Sequence, residues 1–222
     1  MNNLGRIAIA AFVVALCALP ANSQMGMRGG PPTVHGIWNP VVGQGGVYEF
    51  SSKDAGKQTM EMAIVGKETV DGKDAFWYQM VMESSEAGGK MVIKHLMVVD
   101  GSETHAVKMI MQFPNHPPME MSGQMGQRQH SRQLADIKTE AQDVGSESVT
   151  VPAGTFSCEH YRMNDGSGDA WVAKNVTPYG LVKYQGKDTT MVLVKVVTDA
   201  KDKIVGKPVP FNPQAMMQQP PQ

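Results

Sequence analysis

Residues 59–82 have the sequence TMEMAIVGKETVDGKDAFWYQMVM, in which apolar side chains recur at every second position on both sides of a polar centre. The recurring residues are Met60, Met62 and Ile64 before the centre, and Phe76, Tyr78, Met80 and Met82 after it. Successive side chains of a strand point to opposite faces, so this period of two predicts two strands, each with one apolar face. Asp71-Gly72-Lys73 between them is typical of a tight turn. The stretch therefore predicts an antiparallel hairpin.

The same pattern continues immediately downstream. Residues 91–99 predict a third strand, Asp100-Gly101 a turn, and residues 105–113 a long fourth strand. One face of that fourth strand is expected to carry His105, Val107, Met109, Met111 and Phe113. Prolines at 114, 117 and 118 then end the predicted four-stranded meander.

The second half of the chain predicts more strands after an irregular stretch. Residues 119–132 have no strand pattern, and Ser131 is a candidate cap for a short helix ending near Gln142. Strands are predicted again at 148–151, 155–163, 169–176, 180–184 and 190–198. The predicted fold is mainly β (β-rich α+β): a strongly curved antiparallel sheet or half-barrel of about nine strands with one short helix or lid. Several strands are apolar on both faces, so one face is expected to line a cavity or to pack on a helix, while the other is partly covered.

The first 23 residues have the features of a secretory signal peptide. Arg6 precedes an apolar run of about 13 residues at 7–19, which is too short to cross a bilayer, and no comparable run follows. Ala21-Asn22-Ser23 places small residues at the −3 and −1 positions, so cleavage is expected before Gln24 and the mature protein is expected in the periplasm or outside the cell. Cys17 is a candidate for acylation, but the bulky Leu16 before it argues against a lipoprotein signal.

Composition divides the mature chain into three parts and excludes one class of partner. Residues 24–45 predict a flexible leader rich in Gly, Pro and Met, 46–199 a single antiparallel β domain, and 200–222 a disordered Pro/Gln/Met-rich tail. The chain has 20 Lys and Arg against 21 Asp and Glu without a basic run, so nucleic-acid binding is not expected. After cleavage Cys158 is the only cysteine, so no internal disulfide is expected.

A set of motifs in the C-terminal half resembles a known family pattern. The motifs are Val151-Pro152-Ala153-Gly154-Thr155-Phe156, then Tyr161 and Arg162, then Trp171-Val172, and finally Gly180-Leu181-Val182-Lys183. In this order they resemble uncharacterised exported bacterial β-proteins similar to the LolA/LolB lipoprotein-carrier superfamily. The resemblance covers residues 110–199. It implies a strongly curved antiparallel sheet around a hydrophobic cavity and an apolar ligand, and it carries over no catalytic residue.

No catalytic signature is present. The sequence has no nucleophile elbow, zinc-protease helix motif, paired C-x-x-C or phosphate loop, so we expect a non-enzymatic protein without a cofactor. Asp165-Gly166-Ser167-Gly168-Asp169 begins like a calcium loop but lacks its later ligands, which favours a hairpin turn. Cys158 and His160 share a strand face, but two ligands do not make a metal site.

Two functions remain open. The first is a carrier for an apolar small molecule or acyl chain, with a cavity lined by Met80, Met82, Met109, Met111 and Phe113. The alternative is a Cu(I)- or Ag(I)-binding protein, because thioethers and imidazoles are soft ligands. Its candidate ligands are His116, Met119, Met121, Met125 and His130, in a loop that would otherwise serve as a lid. An envelope protein is left open as a further partner.

Overall fold

The computed structural model describes residues 38–53, 56–84, 89–100, 103–122 and 141–211. Within these ranges every regular element is a strand, and all twelve strands belong to one sheet. Their bounds are β1 Gly45–Ser52, β2 Gly56–Val70, β3 Lys73–Ser84, β4 Gly89–Asp100, β5 Glu103–Gln112, β6 Met119–Ser122, β7 Ala141–Val151, β8 Gly154–Met163, β9 Gly168–Val172, β10 Leu181–Gly186, β11 Thr189–Val197 and β12 Val209–Pro210.

The strand order is β12-β6-β5-β4-β3-β2-β1-β11-β10-β9-β8-β7. Strands β1–β6 and β7–β11 therefore form two antiparallel meanders, which join where β1 pairs with β11. The predicted hairpin at 59–82 is confirmed, with Met62 opposite Met80. Its turn residues Asp71 and Gly72 have φ angles of 50° and 77°, the left-handed values that a two-residue hairpin turn requires.

The two faces of the sheet differ in what they pack against. We call the face carrying Tyr48, Ile64 and Tyr78 the inner face, because these side chains share one buried cluster with Leu181 and Leu193 of the second meander. The Tyr48 hydroxyl donates to the Leu181 carbonyl at 3.0 Å. The sheet therefore curls around its inner face, as twelve twisted strands are expected to do.

The segment before β1 packs against one end of the inner face, which we call its closed end because Trp38 and Tyr179 pack against Tyr78 there. Trp38 packs edge-on against Tyr78, with ring centroids 6.2 Å apart, and against Tyr179 at 5.0 Å. Asn39 donates its backbone N–H to the Pro178 carbonyl at 2.9 Å. The last residues of the predicted flexible leader are thus attached to the domain, while residues 24–37 lie outside the described ranges.

The C-terminal segment crosses the opposite, outer face as a strap, which we define as residues 199–211. Gln79 of β3 donates to the Lys201 carbonyl at 3.1 Å and accepts the Lys203 N–H at 2.8 Å. Gln112 of β5 makes the same pair of bonds to Val205, at 2.9 and 2.8 Å. The strap ends as β12, which pairs with β6 in parallel.

Several predicted boundaries need correction. Residues 200–222 were predicted to be disordered, but 200–211 form the strap because the side chains of buried Gln79 and half-buried Gln112 bind its backbone, and 212–222 lie outside the described ranges. Residues 119–122 were predicted to lack strand structure, yet they form β6. The count of about nine strands is therefore too low. Of the predicted helix at 131–142, Ala141 and Gln142 begin β7, and 131–140 lie outside the described ranges.

Strand β5 also differs from its predicted pattern. A bulge lets Leu96 pair with Lys108 and Met97 with Ala106, which leaves Val107 without a partner in the register. His105 then pairs with Val98 on the outer face. The predicted single face of His105, Val107 and Met109 is therefore wrong, because the extra residue reverses the alternation.

Candidate functional site

Every methionine of strands β2–β6 lies on the inner face. The register places them there: Met60 and Met62 on β2, Met80 and Met82 on β3, Met91 and Met97 on β4, Met109 and Met111 on β5, and Met119 and Met121 on β6. The apolar residues of the outer face are of other types, such as Ala75, Leu96 and Val98, which pack against Trp77. We call the inner face of β2–β6 the methionine face.

Cross-strand pairing arranges all the methionines of this face except Met97 in three rows, and Met97 lies in the next row, between Phe76 and Ala106. The rows are Met60–Met82–Met91, Met62–Met80–Ile93–Met111–Met119 and Ile64–Tyr78–His95–Met109–Met121. Directly opposed residues of antiparallel strands have Cα atoms about 4.5–5.5 Å apart, so neighbouring side chains of a row are in van der Waals reach. The rows form a surface of thioethers together with Ile64, Ile93 and the rings of Tyr78 and His95.

This surface is only partly covered. Met62, Met97 and Met109 are buried, with exposures of 5%, 4% and 5%. The other methionines of the face are half-buried: Met60, Met80, Met82, Met91, Met111, Met119 and Met121. The buried members anchor the sheet, and the half-buried ones leave apolar area that a further group can cover.

Aromatic rings continue the third row toward the closed end of the inner face. Tyr78 stacks on His95, with centroids 6.4 Å apart and an interplanar angle of 22°, and meets Tyr179 edge-on at 5.3 Å. Burial raises the pKa of Tyr78 well above its usual value, and the nearby Tyr179 and Tyr48 add to this effect. The Trp38 indole Nε1 is buried beside these rings and has no hydrogen-bond partner among the residues that the structure describes. It is a donor available to a group that enters this end.

The structure brings together four of the five predicted cavity residues. Met80 pairs with Ile93, Ile93 with Met111, and Met82 and Met109 lie on the same face one row away. Phe113 follows Gln112, the last residue of β5, and the register gives it no partner. Its carbonyl instead accepts the His116 N–H at 3.2 Å in the turn that follows. The sequence did not single out Met91, Met97 or Trp38, although alternation along β4 would have found both methionines.

The predicted metal loop is divided by the structure. Met119 and Met121 belong to β6 and lie opposite Met111 and Met109. His116 is exposed in the preceding turn, and Met125 and His130 lie outside the described ranges. The imidazole that the register places beside the methionines is His95, which is 7% exposed and opposite Met109. Only the pairing of β4 with β5 reveals this neighbour.

The side chains of Cys158 and His160, the other candidate metal ligands in the sequence, have structural roles. Cys158 is 1% exposed, and burial, with a further effect of Glu147, raises its pKa to about 11. His160 stacks on Trp171 at 4.5 Å and contacts Asp169 at 2.8 Å and Glu147 at 3.2 Å. In the part of the chain that the structure describes, no three His, Cys, Asp or Glu residues are grouped to hold a metal ion.

None of the described residues form a helix long and apolar enough to span a bilayer. No family model matches the chain, and no curated protein matches it.

Six solved chains are similar to this one, among them the following two. A candidate lipoprotein from Parabacteroides distasonis is 13% identical, with a TM-score of 0.36, covering 73% of this chain and 99% of that one. A candidate exported protein with a YmcC-like fold from Bacteroides fragilis is 13% identical, with a TM-score of 0.35, covering 72% and 97%.

Proposed function

We propose that the mature protein is an exported, non-enzymatic carrier that binds an extended apolar ligand, such as an acyl chain, on the methionine face. The observation that supports this most is the segregation of methionine. The inner face of β2–β6 takes every methionine of these strands, and the outer face takes Val, Leu, Ala and Trp.

Methionine suits a face that must fit a flexible ligand. Its side chain is unbranched and its sulfur is polarisable, so it adapts to irregular apolar shapes better than stiff β-branched residues. Covering the half-buried thioethers with an acyl chain gains about 0.8 kcal/mol for each methylene group removed from water. A ligand of moderate length therefore binds without a dedicated polar site.

The polar end of such a ligand has a candidate partner at the closed end of the inner face. Within the described ranges, the buried Nε1–H of Trp38 has no acceptor, and an unsatisfied buried donor costs about 1–3 kcal/mol. A carbonyl or carboxyl oxygen placed beside Tyr78 and Tyr179 would accept from it. The apolar end would then extend across the rows of methionines.

Export and the carrier role are supported by the same sequence features. The segment 1–23 has the length and composition of a signal peptide, and the motifs of 151–183 resemble exported relatives of the LolA/LolB carriers. Both features are consistent with a protein that handles an apolar group in an aqueous compartment outside the cytoplasm.

Uptake of a fluorescent fatty-acid analogue by purified mature protein tests the proposal. We expect Met82→Asp to weaken uptake at least about tenfold, because it places a charge where the acyl chain contacts the half-buried row. The matched control is Val81→Asp, which adds the same charge to the neighbouring half-buried position on the outer face. Met82→Leu keeps the apolar volume and should retain uptake.

Circular dichroism and urea unfolding are the controls that establish whether the compared variants are folded. Equal loss of uptake in the Met82→Asp and Val81→Asp proteins would contradict a specific role for the methionine face. A folded wild type that takes up no acyl or isoprenoid probe would remove the carrier function altogether.

A further inference from the structure

We infer that the methionine face also holds a site for a soft monovalent cation, Cu(I) or Ag(I), formed by His95, Met109 and Met121. This goes beyond the binding of an apolar ligand. His95 of β4 lies directly opposite Met109 of β5, which lies directly opposite Met121 of β6, and all three point to the inner face.

The spacing of three adjacent strands allows these ligands to converge. Neighbouring strands are about 4.8 Å apart, so the two outer Cα atoms of the trio are about 10 Å apart with Met109 between them. A thioether sulfur stands three bonds from its Cα on a flexible chain, and an imidazole nitrogen reaches a similar distance. An ion above Met109 can therefore be reached from both sides.

The imidazole is positioned before any ion binds. His95 is 7% exposed, and Tyr78 stacks against it with an interplanar angle of 22°. Met109 is similarly buried at 5% exposure. Two of the three ligands thus lose little side-chain freedom on binding, and only the half-buried Met121 has to be ordered.

The donor set selects the kind of cation. On the inner face of β4–β6, the described residues include no carboxylate and no Lys or Arg. The charged residues Lys94, Lys108 and Glu120 point to the outer face. Hard cations such as Ca²⁺ require several oxygen ligands, whereas thioether and imidazole ligands favour Cu(I) and Ag(I). Met111 and Met119 form a second sulfur pair in the adjacent row.

This site differs from the loop predicted from the sequence. Only Met121 belongs to both, and His116 is not needed, because it is exposed in the turn before β6. The imidazole comes from β4 instead. Thioethers also keep their ligand character in an oxidising compartment, where free thiols are lost.

Two measurements on the mature protein test the site. Ag(I), which resembles Cu(I) but is not oxidised, is added to protein labelled with ¹³C at the methionine methyl groups. We expect the Met109 and Met121 methyl resonances to shift at one equivalent, and those of Met60, Met82 and Met91 to stay unchanged. Shifts confined to methionines outside the trio would overturn the assignment.

Cu(I) affinity is then measured by competition with a chromogenic chelator. We expect the Cu(I) affinity of the Met109→Leu/Met121→Leu double variant to fall more than about 100-fold. Even the loss of a group that only orients a metal ligand lowers metal affinity about 10–100-fold. The matched control is Met60→Leu/Met82→Leu, on the same face but in the row without an imidazole, which should change affinity less than about threefold.

His116→Ala separates the sheet site from the loop site. We expect this variant to bind Cu(I) as wild type does. Loss of affinity in His116→Ala, or equal affinity in the two double variants, would overturn the inference. Leucine preserves the apolar bulk, so acyl uptake by the double variants reports on the carrier function independently of the metal result.

Discussion

Cys158 is the single thiol expected in the mature chain, and its surroundings make it inert. It is 1% exposed on β8, and its pKa is raised to about 11. At pH 8 about 0.1% of such a thiol is thiolate, against about one quarter for an unfolded thiol of pKa about 8.5. We expect alkylation by iodoacetamide at pH 8 to be more than about 100-fold slower for the native protein than for the urea-unfolded protein.

The same shift makes stability depend on pH with a definite sign. Because the folded pKa lies above the unfolded one, the unfolded chain releases the proton first, and stability contributed by the neutral thiol falls as pH rises from about 8.5 to about 11. Cys158→Ala should therefore make the decline of the unfolding free energy with pH less steep between about pH 8.5 and 10. Fast native labelling, or an unchanged slope, would contradict the buried neutral thiol.

Individual residues also show what alternation can predict. Met80, Met82, Met109 and Met111 were correctly placed on one face, because the period of two is a local property of a strand. His105 and Val107 were misplaced, because the bulge in β5 depends on how that strand pairs with β4. His95 is next to Met109 for the same reason, so the sequence did not indicate this neighbour.

At the scale of elements, the strap is held by Gln79 and Gln112, whose side-chain amides each donate to a backbone carbonyl and accept from a backbone N–H. Gln79 is 1% exposed and satisfies both the Lys201 carbonyl and the Lys203 N–H. Gln79→Leu leaves these groups unpaired, and we expect it to cost about 1–3 kcal/mol of unfolding free energy. Trypsin should also cleave at Lys201 and Lys203 faster than in wild type, because the strap detaches more often.

Gln185→Leu is the control for this prediction, since Gln185 is exposed on β10 and its side chain donates to the Gly186 carbonyl. We expect its stability to change by less than about 0.5 kcal/mol. If Gln79→Leu is cleaved no faster than Gln185→Leu, the glutamine bonds do not hold the strap.

The sequence of the strap does not show that this segment is ordered. Residues 200–211 have little apolar periodicity of their own, and Gln79 lies 122 positions before Lys201. Buried Lys94 adds a bond to Asp202 at 2.5 Å while its ammonium lies 4.4 Å from the Trp77 ring centroid. Order here comes from side chains of β3–β5, so a scan of local composition cannot detect it.

For the whole molecule, the sheet joins its two halves through residues distant in sequence. The pairing of β1 with β11 and the curl of the sheet around its inner face bring Tyr48 to Leu181 and Trp38 to Tyr179. The sequence predicted a curved, mainly β sheet from strand number and two-sided apolarity. It predicted the neighbours within the meander β2–β5, which short turns join, but not the pairing of β1 with β11 or of β6 with β12, because pairing between distant segments leaves no local pattern.

Removal of the signal peptide concerns the whole chain. Substitution of the small residues before the expected cleavage site can test it. The bonds described at the N-terminal end begin at Trp38 and Asn39, so cleavage before Gln24 removes none of them. We expect the N-terminal sequence of the exported protein to start at Gln24, and its intact mass to match a chain that begins there.

Signal peptidase requires small side chains at −1 and −3 and tolerates others at −2. Ala21→Leu and Ser23→Leu should therefore leave the precursor uncleaved, whereas Asn22→Leu should be processed like wild type. Cys17→Ser should also be processed normally, because acylation of Cys17 is not required. A mature protein that begins with acylated Cys17, or one that retains Met1, would show that the segment 1–23 is used differently.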